Sequence, residues 1–377
     1  MEFPPKCILE ILGRSADFSP FIKTMPLDLL PVAGRPLIEI FLSCLEAAGF
    51  DEIDILIDPN ESALISFIKE RESEAFIEVL TSGSDQTSQE SAFHFYGQEY
   101  LEPRNIIRFL KFVEGHKDEL CVIPVSEQQL LETTHRQSAK PVSMAYFPEG
   151  ISHQLPTDLS NVEFRFFCPS SEPPMPINWP WDLLRLHSIL IAEIVPAMKG
   201  TIQQGATIID PVLIEKGTTV RAGAYIEGPV IIGRDCVVGP NCFLRPGACL
   251  GNSVRIGNAV EIKNTIVMDN VSIGHLSYIG DSIIGPGCNF GAGTKIANLR
   301  LDNGNFKQKV GEKVIDTGLR KLGVFLGENV KTGINCSLMG GVSIGTEAMI
   351  GPGAVIFRDV EPNTLVLVRQ QTEIAKY

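Results

Sequence analysis

The sequence has little of several things. Residues 1–177 hold 13 Lys/Arg against 28 Asp/Glu, a balance of −15, so that half lacks the basic surface that nucleic acid or an anionic membrane requires. Nowhere do about 18 apolar residues run together, which excludes a spanning helix. The N-terminus MEFPPKCILEIL has no basic stretch ahead of a long apolar run, so no secretory leader is expected. The nine cysteines include no CxxC pair, which argues against a zinc site and a disulfide framework. These gaps together indicate a soluble protein of a reducing compartment, the cytoplasm, with no nucleic-acid or membrane partner and no metal.

The 377 residues divide by texture. In residues 1–177, CILEIL (7–12), PLIEIFLSCLEAAGF (36–50) and DEIDILIDP (51–59) read as strand, helix, strand. The helix places apolar residues at 37, 40, 41, 44, 45 and 48, on one face of a 3.6-residue period. This predicts an α/β domain, Rossmann-like, with a mostly parallel sheet. Residues 81–104 and 149–178 read as loop-rich. A proline-rich passage, PSSEPPMPINWPWD, precedes a short connector helix assigned to 178–199.

From residue 200 to 360 aliphatic residues recur every six positions. Ile208, Ile214, Val220, Ile226, Ile232, Val238, Leu244, Leu250, Ile256 and Ile262 begin the series. After five-residue steps it continues through Val267, Ile273, Ile279, Ile284, Phe290 and Ile296. It resumes with Leu326, Thr332, Leu338, Ile344, Ile350 and Ile356, Thr332 alone breaking the apolar rule. A hexapeptide period marks a parallel β-helix. Residues 299–325 read as an inserted loop and 361–377 as a tail. Cys236, Cys242, Cys288 and Cys336 each fall four places after an inward position of the series, where a small buried residue belongs.

Departures from a regular pattern point to function. Arg245, Glu261, Lys263, His275, Tyr278, Asn289, Ala292 and Asn298 crowd into one short stretch of the repeats. Arg245 and Lys263, 18 apart, stack in a coil of about 18 residues and form a cationic pair suited to phosphate. His275 falls on another face. It can meet that pair only around an edge or across a subunit boundary. Between Lys295 and Lys331 eight Lys/Arg face four Asp/Glu, a local excess of positive charge.

The stretches FLRPGA, GNAVEIKNT, IGHLSYIGDS, FGAGTKIANLRLDNGNFK and TGLRKLG…NVKTGINCSLMGGVSIG resemble the acetyltransferase domain of the bifunctional sugar-1-phosphate nucleotidylyltransferase/glucosamine-1-phosphate N-acetyltransferase family, in its archaeal-type variant. The resemblance covers about 180–377. It implies a left-handed β-helix, a homotrimer with sites between subunits, and acetyl-CoA as co-substrate. It further implies His275 as the general base for amine attack, a role suited to imidazole, which exchanges protons near neutral pH. Glu261 would orient that ring, and Asn298 would position the amine. The Ala292 N–H would meet the thioester oxygen. Arg245, Lys263, Tyr278, Asn289 and Lys307 would hold the sugar phosphate. Lys331 and Arg369, with Arg320 and Lys321 nearby, would contact coenzyme A, residues 299–325 acting as a lid from a neighbouring subunit.

Residues 25–53, MPLDLLPVAGRPLIEIFLSCLEAAGFDEI, resemble the motif that follows the nucleotide loop of sugar-nucleotide pyrophosphorylases. That loop is glycine-rich in active relatives, whereas LEILGRSADFSPFIK offers only Gly13 and Arg14. Leu27 stands where a lysine is expected, and Lys23 is out of register. The expectation is a degenerate nucleotidyltransferase-like domain that has lost its activity. Two alternatives stand beside the acetyltransferase: a surviving sugar-1-phosphate nucleotidylyltransferase and a non-catalytic trimeric scaffold. A carbonic anhydrase on the same scaffold needs three histidines, and only His275 of the six lies in the repeats.

Overall fold

The computed structural model describes residues 6–11, 18, 20–21, 25–73, 75–81, 91–97, 99–124, 142–148, 165–169, 174–310 and 313–375. Gly13, Arg14 and Lys23 lie outside them. The chain forms two compact units, one of residues 1–15 and 36–178, the other of 16–35 and 179–377.

The first unit is built on a seven-stranded sheet. Its elements are β1 (Lys6–Ile11), α1 (Leu37–Ala47), β2 (Glu52–Ile57), α2 (Ser62–Glu70), β3 (Phe76–Thr81), β4 (Ala92–Tyr96), α3 (Pro103–Glu114), β5 (Cys121–Pro124), β6 (Val142–Phe147) and β7 (Arg165–Phe166). Strand order is β7-β5-β6-β4-β1-β2-β3, with β6 antiparallel to both its neighbours and the remaining pairs parallel. The mostly parallel α/β expectation therefore holds. Pro36 precedes α1, and Gly49, at φ +99°, follows it in the left-handed region. The stretch read as loop at 81–104 contains β4, AFHFY, whose five residues are all buried. A strand covered on both faces carries no alternation to read.

The second unit is a parallel β-helix of three walls. Eight strands, from Ala197–Met198 to Ser343–Ile344, make the first wall; nine, from Thr201–Ile202 to Leu365–Val366, the second; eight, from Thr207–Ile209 to Val355–Ile356, the third. Full turns set the register, as in Val220↔Val238, and it tightens by one residue where a turn is shorter, as in Ile256↔Ile273. Apart from the half-buried Ile208, the inward aliphatics are buried, among them Ile262, Ile273 and Ile279 at 0% exposure. Each contributes about 2 kcal/mol by leaving water. Cys236, Cys242, Cys288 and Cys336 lie in that core as expected. Thr332 meets a second interior threonine, its Oγ1 2.9 Å from that of Thr294, and accepts the Gly291 N–H at 3.0 Å. The odd polar residue is thus satisfied inside.

Three boundaries differ from the sequence reading. The chain returns to the second wall at Leu365–Val366, inside the stretch assigned to the tail. Helix α4 (Pro180–Ile191) is part of the second unit rather than a free connector: Ile191 packs with Ile231 and Cys249, covering an outer face of the first wall. Residues 16–35 also belong here. Phe21 meets Phe325 edge-on at 6.5 Å, and the Ala33 N–H donates to His187 Nδ1 at 3.1 Å. Among the described residues no helix is long and apolar enough to cross a membrane.

Candidate active site

The third wall brings most of the singled-out side chains together. Its outward column runs Phe243, Glu261, Tyr278, Lys295 in direct register. Arg245 and Lys263 follow the inward Leu244 and Ile262 on consecutive rungs, so the stacked cationic pair is real. Arg245 Nη1 donates to Glu261 Oε1 at 2.8 Å and its guanidinium lies 5.7 Å from the Phe243 ring centre. That carboxylate holds the guanidinium above its ordinary pKa. Lys263 Nζ stands 3.9 Å from Asp281 Oδ2. Burial, with the charges of Lys321 and Arg245, lowers the Lys263 pKa, and Asp281 opposes them. Asn298 Nδ2 donates to Tyr278 Oη at 3.0 Å and to Asp281 Oδ2 at 2.5 Å. Burial pushes the Tyr278 phenol above its ordinary pKa.

Gly280, which follows the inward Ile279, makes that cluster possible. A Cβ there would lie 2.7 Å from Tyr278 Oη and 2.8 Å from Asn298 Nδ2. The missing side chain leaves room for the ring of Tyr278 to lie across the wall.

His275 is on the second wall, as the spacing required. It ends the strand Ser272–His275, pairs with Asn258 one rung below and is exposed. A groove of about 500 Å³ runs past it, lined by Arg255, Asn258, Asn289 and Phe290 among others. Gly257 and Gly274 leave backbone at its floor; a Cβ on Gly257 would sit 1.9 Å from the Gly274 carbonyl oxygen. Asn289 stacks under Lys331 on the same wall, and this column ends at Leu365, four residues before the exposed Arg369. Ala292 lies in the turn after Asn289–Phe290. Its carbonyl accepts the Asn335 N–H at 2.8 Å. Two residues separate His275 from Tyr278, so the two walls meet at that corner. The second wall carries Lys331 of the expected coenzyme A residues together with Asn289, expected at the sugar, and the third carries Arg245, Lys263 and Tyr278 of the expected sugar-phosphate residues.

Some placements depart from expectation. Glu261 is held by Arg245, and no described residue of the chain bonds the His275 ring, so orientation of that ring by Glu261 has no support within one chain. Residues 299–325 are not a plain loop. Lys307–Val310 and Lys313–Asp316 form an antiparallel hairpin. Its own chain anchors it: Phe306 is buried, and Gln308 Nε2 donates to the Gly341 carbonyl at 2.7 Å. Lys307 projects exposed from this hairpin, opposite Asp316. Lys321, expected near coenzyme A, is instead close enough to Lys263 to depress its pKa. Asp281 is the residue the sequence reading missed. Its signal was an equal spacing, one rung each way, from Asn264 and Asn298.

Fold and site together define a parallel β-helix of hexapeptide repeats, carried in one chain with an α/β unit. Residues 226–340 fit the family described as GMPPB C-terminal domain, and 323–358 the bacterial transferase hexapeptide family. Over 97% of its length the chain is 28% identical to the bifunctional protein GlmU of Methanocaldococcus jannaschii, covering 98% of that protein. It is 44% identical over 187 residues, 49% of the chain and 47% of the relative, to the bifunctional sugar-1-phosphate nucleotidylyltransferase/acetyltransferase of Sulfurisphaera tokodaii. A third relative, bifunctional protein GlmU of Methanococcus vannielii, is 42% identical over 53% of the chain and 48% of its own length. The chain is therefore a homologue of the archaeal bifunctional sugar-1-phosphate nucleotidylyltransferase/acetyltransferases.

Proposed function

We propose that the protein is an acetyl-CoA-dependent N-acetyltransferase acting on glucosamine 1-phosphate or a related amino-sugar phosphate, and that it works as a homotrimer. One observation carries this reading. A fixed cationic cluster of Arg245, Lys263 and Lys321, beside Tyr278 and Asn298, lies around one corner from a histidine on a groove. Fixed cations suit a phosphate, and an exposed imidazole suits an amine that must lose a proton.

Acetyl-CoA supplies the acyl group as a thioester. The second-wall residues fit it: among the described residues the Ala292 N–H has no acceptor, and Lys331 is an exposed cation, as is Arg369 beyond the wall's last strand. His275 removes a proton from the 2-amino group as the nitrogen bonds to the thioester carbon and the carbon–sulfur bond breaks. It then returns that proton to the departing thiolate. The Ala292 N–H meets the carbonyl oxygen as negative charge gathers there. Arg245, Lys263, Lys321 and Lys307 hold the phosphate, Tyr278 and Asn289 the sugar, and Asn298 the amine. No covalent acyl-enzyme is needed, since the amine attacks directly.

The chain has, in this reading, lost nucleotidyl transfer. Leu27, at the position where active relatives carry a lysine, is 5% exposed in a short 3₁₀ turn, Leu27–Leu29. Thiol release from acetyl-CoA with glucosamine 1-phosphate tests the first claim; pyrophosphate release from UTP or dTTP with sugar 1-phosphate and Mg²⁺ tests the second. Thiol without pyrophosphate is expected. Pyrophosphate without thiol overturns both.

A further inference from the structure

One column of turns on the third wall carries a polar ladder. Asn264, Asp281 and Asn298 follow at equal intervals, one on each rung. Asn264 Nδ2 donates to Asp281 Oδ1 at 2.8 Å, and Asn298 Nδ2 donates to Oδ2 at 2.5 Å. Asp281 is 3% exposed, and its backbone is tied as well. Its N–H donates to the Lys263 carbonyl at 3.0 Å, and its carbonyl accepts the Gly323 N–H at 2.7 Å. Its φ of +53° suits the short polar side chains that tolerate the left-handed region. A carboxylate sealed this deeply needs donors on both oxygens and a cation nearby, and it has them.

The ladder settles the direction of the Asn298 amide. Its nitrogen contacts two acceptors, Asp281 Oδ2 and Tyr278 Oη, which leaves Oδ1 as the end still to be satisfied. A tyrosine hydroxyl can donate or accept, so Tyr278 alone would tolerate either orientation of the amide. An ionised carboxylate only accepts. Turning the amide over would press Oδ1 against Asp281 Oδ2. Asp281 is therefore the group that decides which end of Asn298 a ligand meets.

We propose that Asp281 is a positioning residue for the acceptor amine: it holds Asn298 so that Oδ1 accepts a hydrogen bond from the sugar's 2-amino group, and it balances the charge of Lys263 beside the phosphate. The proposal rests on the acetyltransferase reading, and its test separates the two. Carboxylate ladders also serve plain structural ends in this fold. Asn252 donates to Asp269 through its N–H at 2.7 Å and its Nδ2 at 3.2 Å, again from one rung to the next, with no site residue among those contacts. Asp269 is the matched control.

The experiment compares the full-length wild type with Asp281→Asn and Asp269→Asn. Calorimetry gives the affinity of each for glucosamine 1-phosphate and for 2-deoxyglucose 1-phosphate, which has no donor at that carbon. Steady-state thiol release gives kcat and the KM for acetyl-CoA. Asp269→Asn is expected to lower the melting temperature and keep the wild-type ratio of the two affinities. Asp281→Asn is expected to reduce that ratio about fivefold, the worth of one hydrogen bond, and kcat about tenfold, with KM for acetyl-CoA unchanged. A ratio and kcat equal to wild type in Asp281→Asn, or equal losses in both variants, overturns the proposal. A wild type that binds both sugars without releasing thiol overturns the acetyltransferase reading, while the ratio still decides on Asp281. Failure to bind either sugar overturns both. Should Asp281→Asn not fold, Asp281→Ser, smaller and neutral, is read the same way.

Discussion

The second and third walls of the β-helix share one repeat and one core but treat their polar side chains in opposite ways. On the third wall nearly every group of the site is tied to another: Arg245 to Glu261, Lys263 to Asp281, Asn298 to Asp281 and Tyr278. On the second wall His275, Asn289 and Lys331 stand exposed, as does Arg369 beyond its last strand, and no side-chain partner is found for them among the described residues. The difference teaches how a rigid scaffold divides labour. Groups that bind a fixed charge gain from being held in advance, because less ordering remains to be done when ligand arrives. A group that must take up and release a proton gains from having its ring nitrogens uncommitted until substrate is bound.

The sharpest break of that contrast is His275→Ala. Loss of a general base costs on the order of 10²–10⁴ in kcat, measured as thiol release, with the affinity for sugar phosphate nearly unchanged. Equal loss of affinity would place His275 among the binding groups and erase the distinction between the walls.

The next largest effect concerns the helix that covers the first wall. His187 is fully buried; its Nδ1 accepts the Ala33 N–H at 3.1 Å and its Nε2–H donates to the Gly247 carbonyl at 2.9 Å, two residues beyond Arg245. The bond from Ala33 demands a neutral ring, with its proton on Nε2, and burial lowers its pKa to about 4. The unfolded chain binds that proton near 6.5. Stability is therefore complete above about pH 6.5 and falls as pH drops towards 4, by about 3 kcal/mol across the window. Thermal midpoints from pH 8 to 4.5 should show the loss in wild type. In His187→Asn that portion of the slope should vanish, with a lower midpoint at pH 8.

Lys263→Ala comes third. Removing one of the held cations should lower kcat/KM for the sugar phosphate about 10- to 100-fold, mostly through KM, because a charge-assisted bond to phosphate is worth roughly 1.5–3 kcal/mol. The wild-type KM should itself climb as pH rises, beginning below the range of an ordinary lysine, since burial and neighbouring cations lower the Lys263 pKa. Its kcat at saturation should hold.

The sequence made the scaffold and the polar side chains of the candidate site legible for a physical reason: a six-residue period names the inward position, so any large polar residue beside it is conspicuous. Arg245, Lys263, His275 and Tyr278 were found that way. Asp281 was not, because it sits in a turn column where Asn and Asp are ordinary: Asn241, Asn264, Asn270 and Asp235 also occupy positive-φ turns. Its importance comes from a neighbour one full coil further along the chain, visible only once rungs are stacked. The hairpin at Lys307–Asp316 escaped because a two-stranded ribbon anchored by one phenylalanine and one glutamine leaves little periodic signal. Strand β4 escaped for the opposite reason, being apolar almost throughout.

Gly280→Ala is the smallest effect and the one that refines the contrast most. Gly280 pairs directly with Lys263, in the column where Arg245 also stands, yet it bears no side chain. A methyl group there would meet Tyr278 Oη at 2.7 Å and Asn298 Nδ2 at 2.8 Å, closer than carbon atoms come to oxygen or nitrogen without displacement. Both atoms end side chains that can move, so the fold should survive and the melting temperature should change little. The bond between them cannot survive unaltered, however, because the methyl would occupy the space they share. If the third wall acts through arrangement made in advance, Gly280→Ala should raise KM for the amino-sugar phosphate several-fold, leave KM for acetyl-CoA untouched and reduce kcat modestly. If KM for the sugar phosphate does not move, the Tyr278–Asn298 bond is incidental, and the preorganised wall reduces to its two salt-bridged cations.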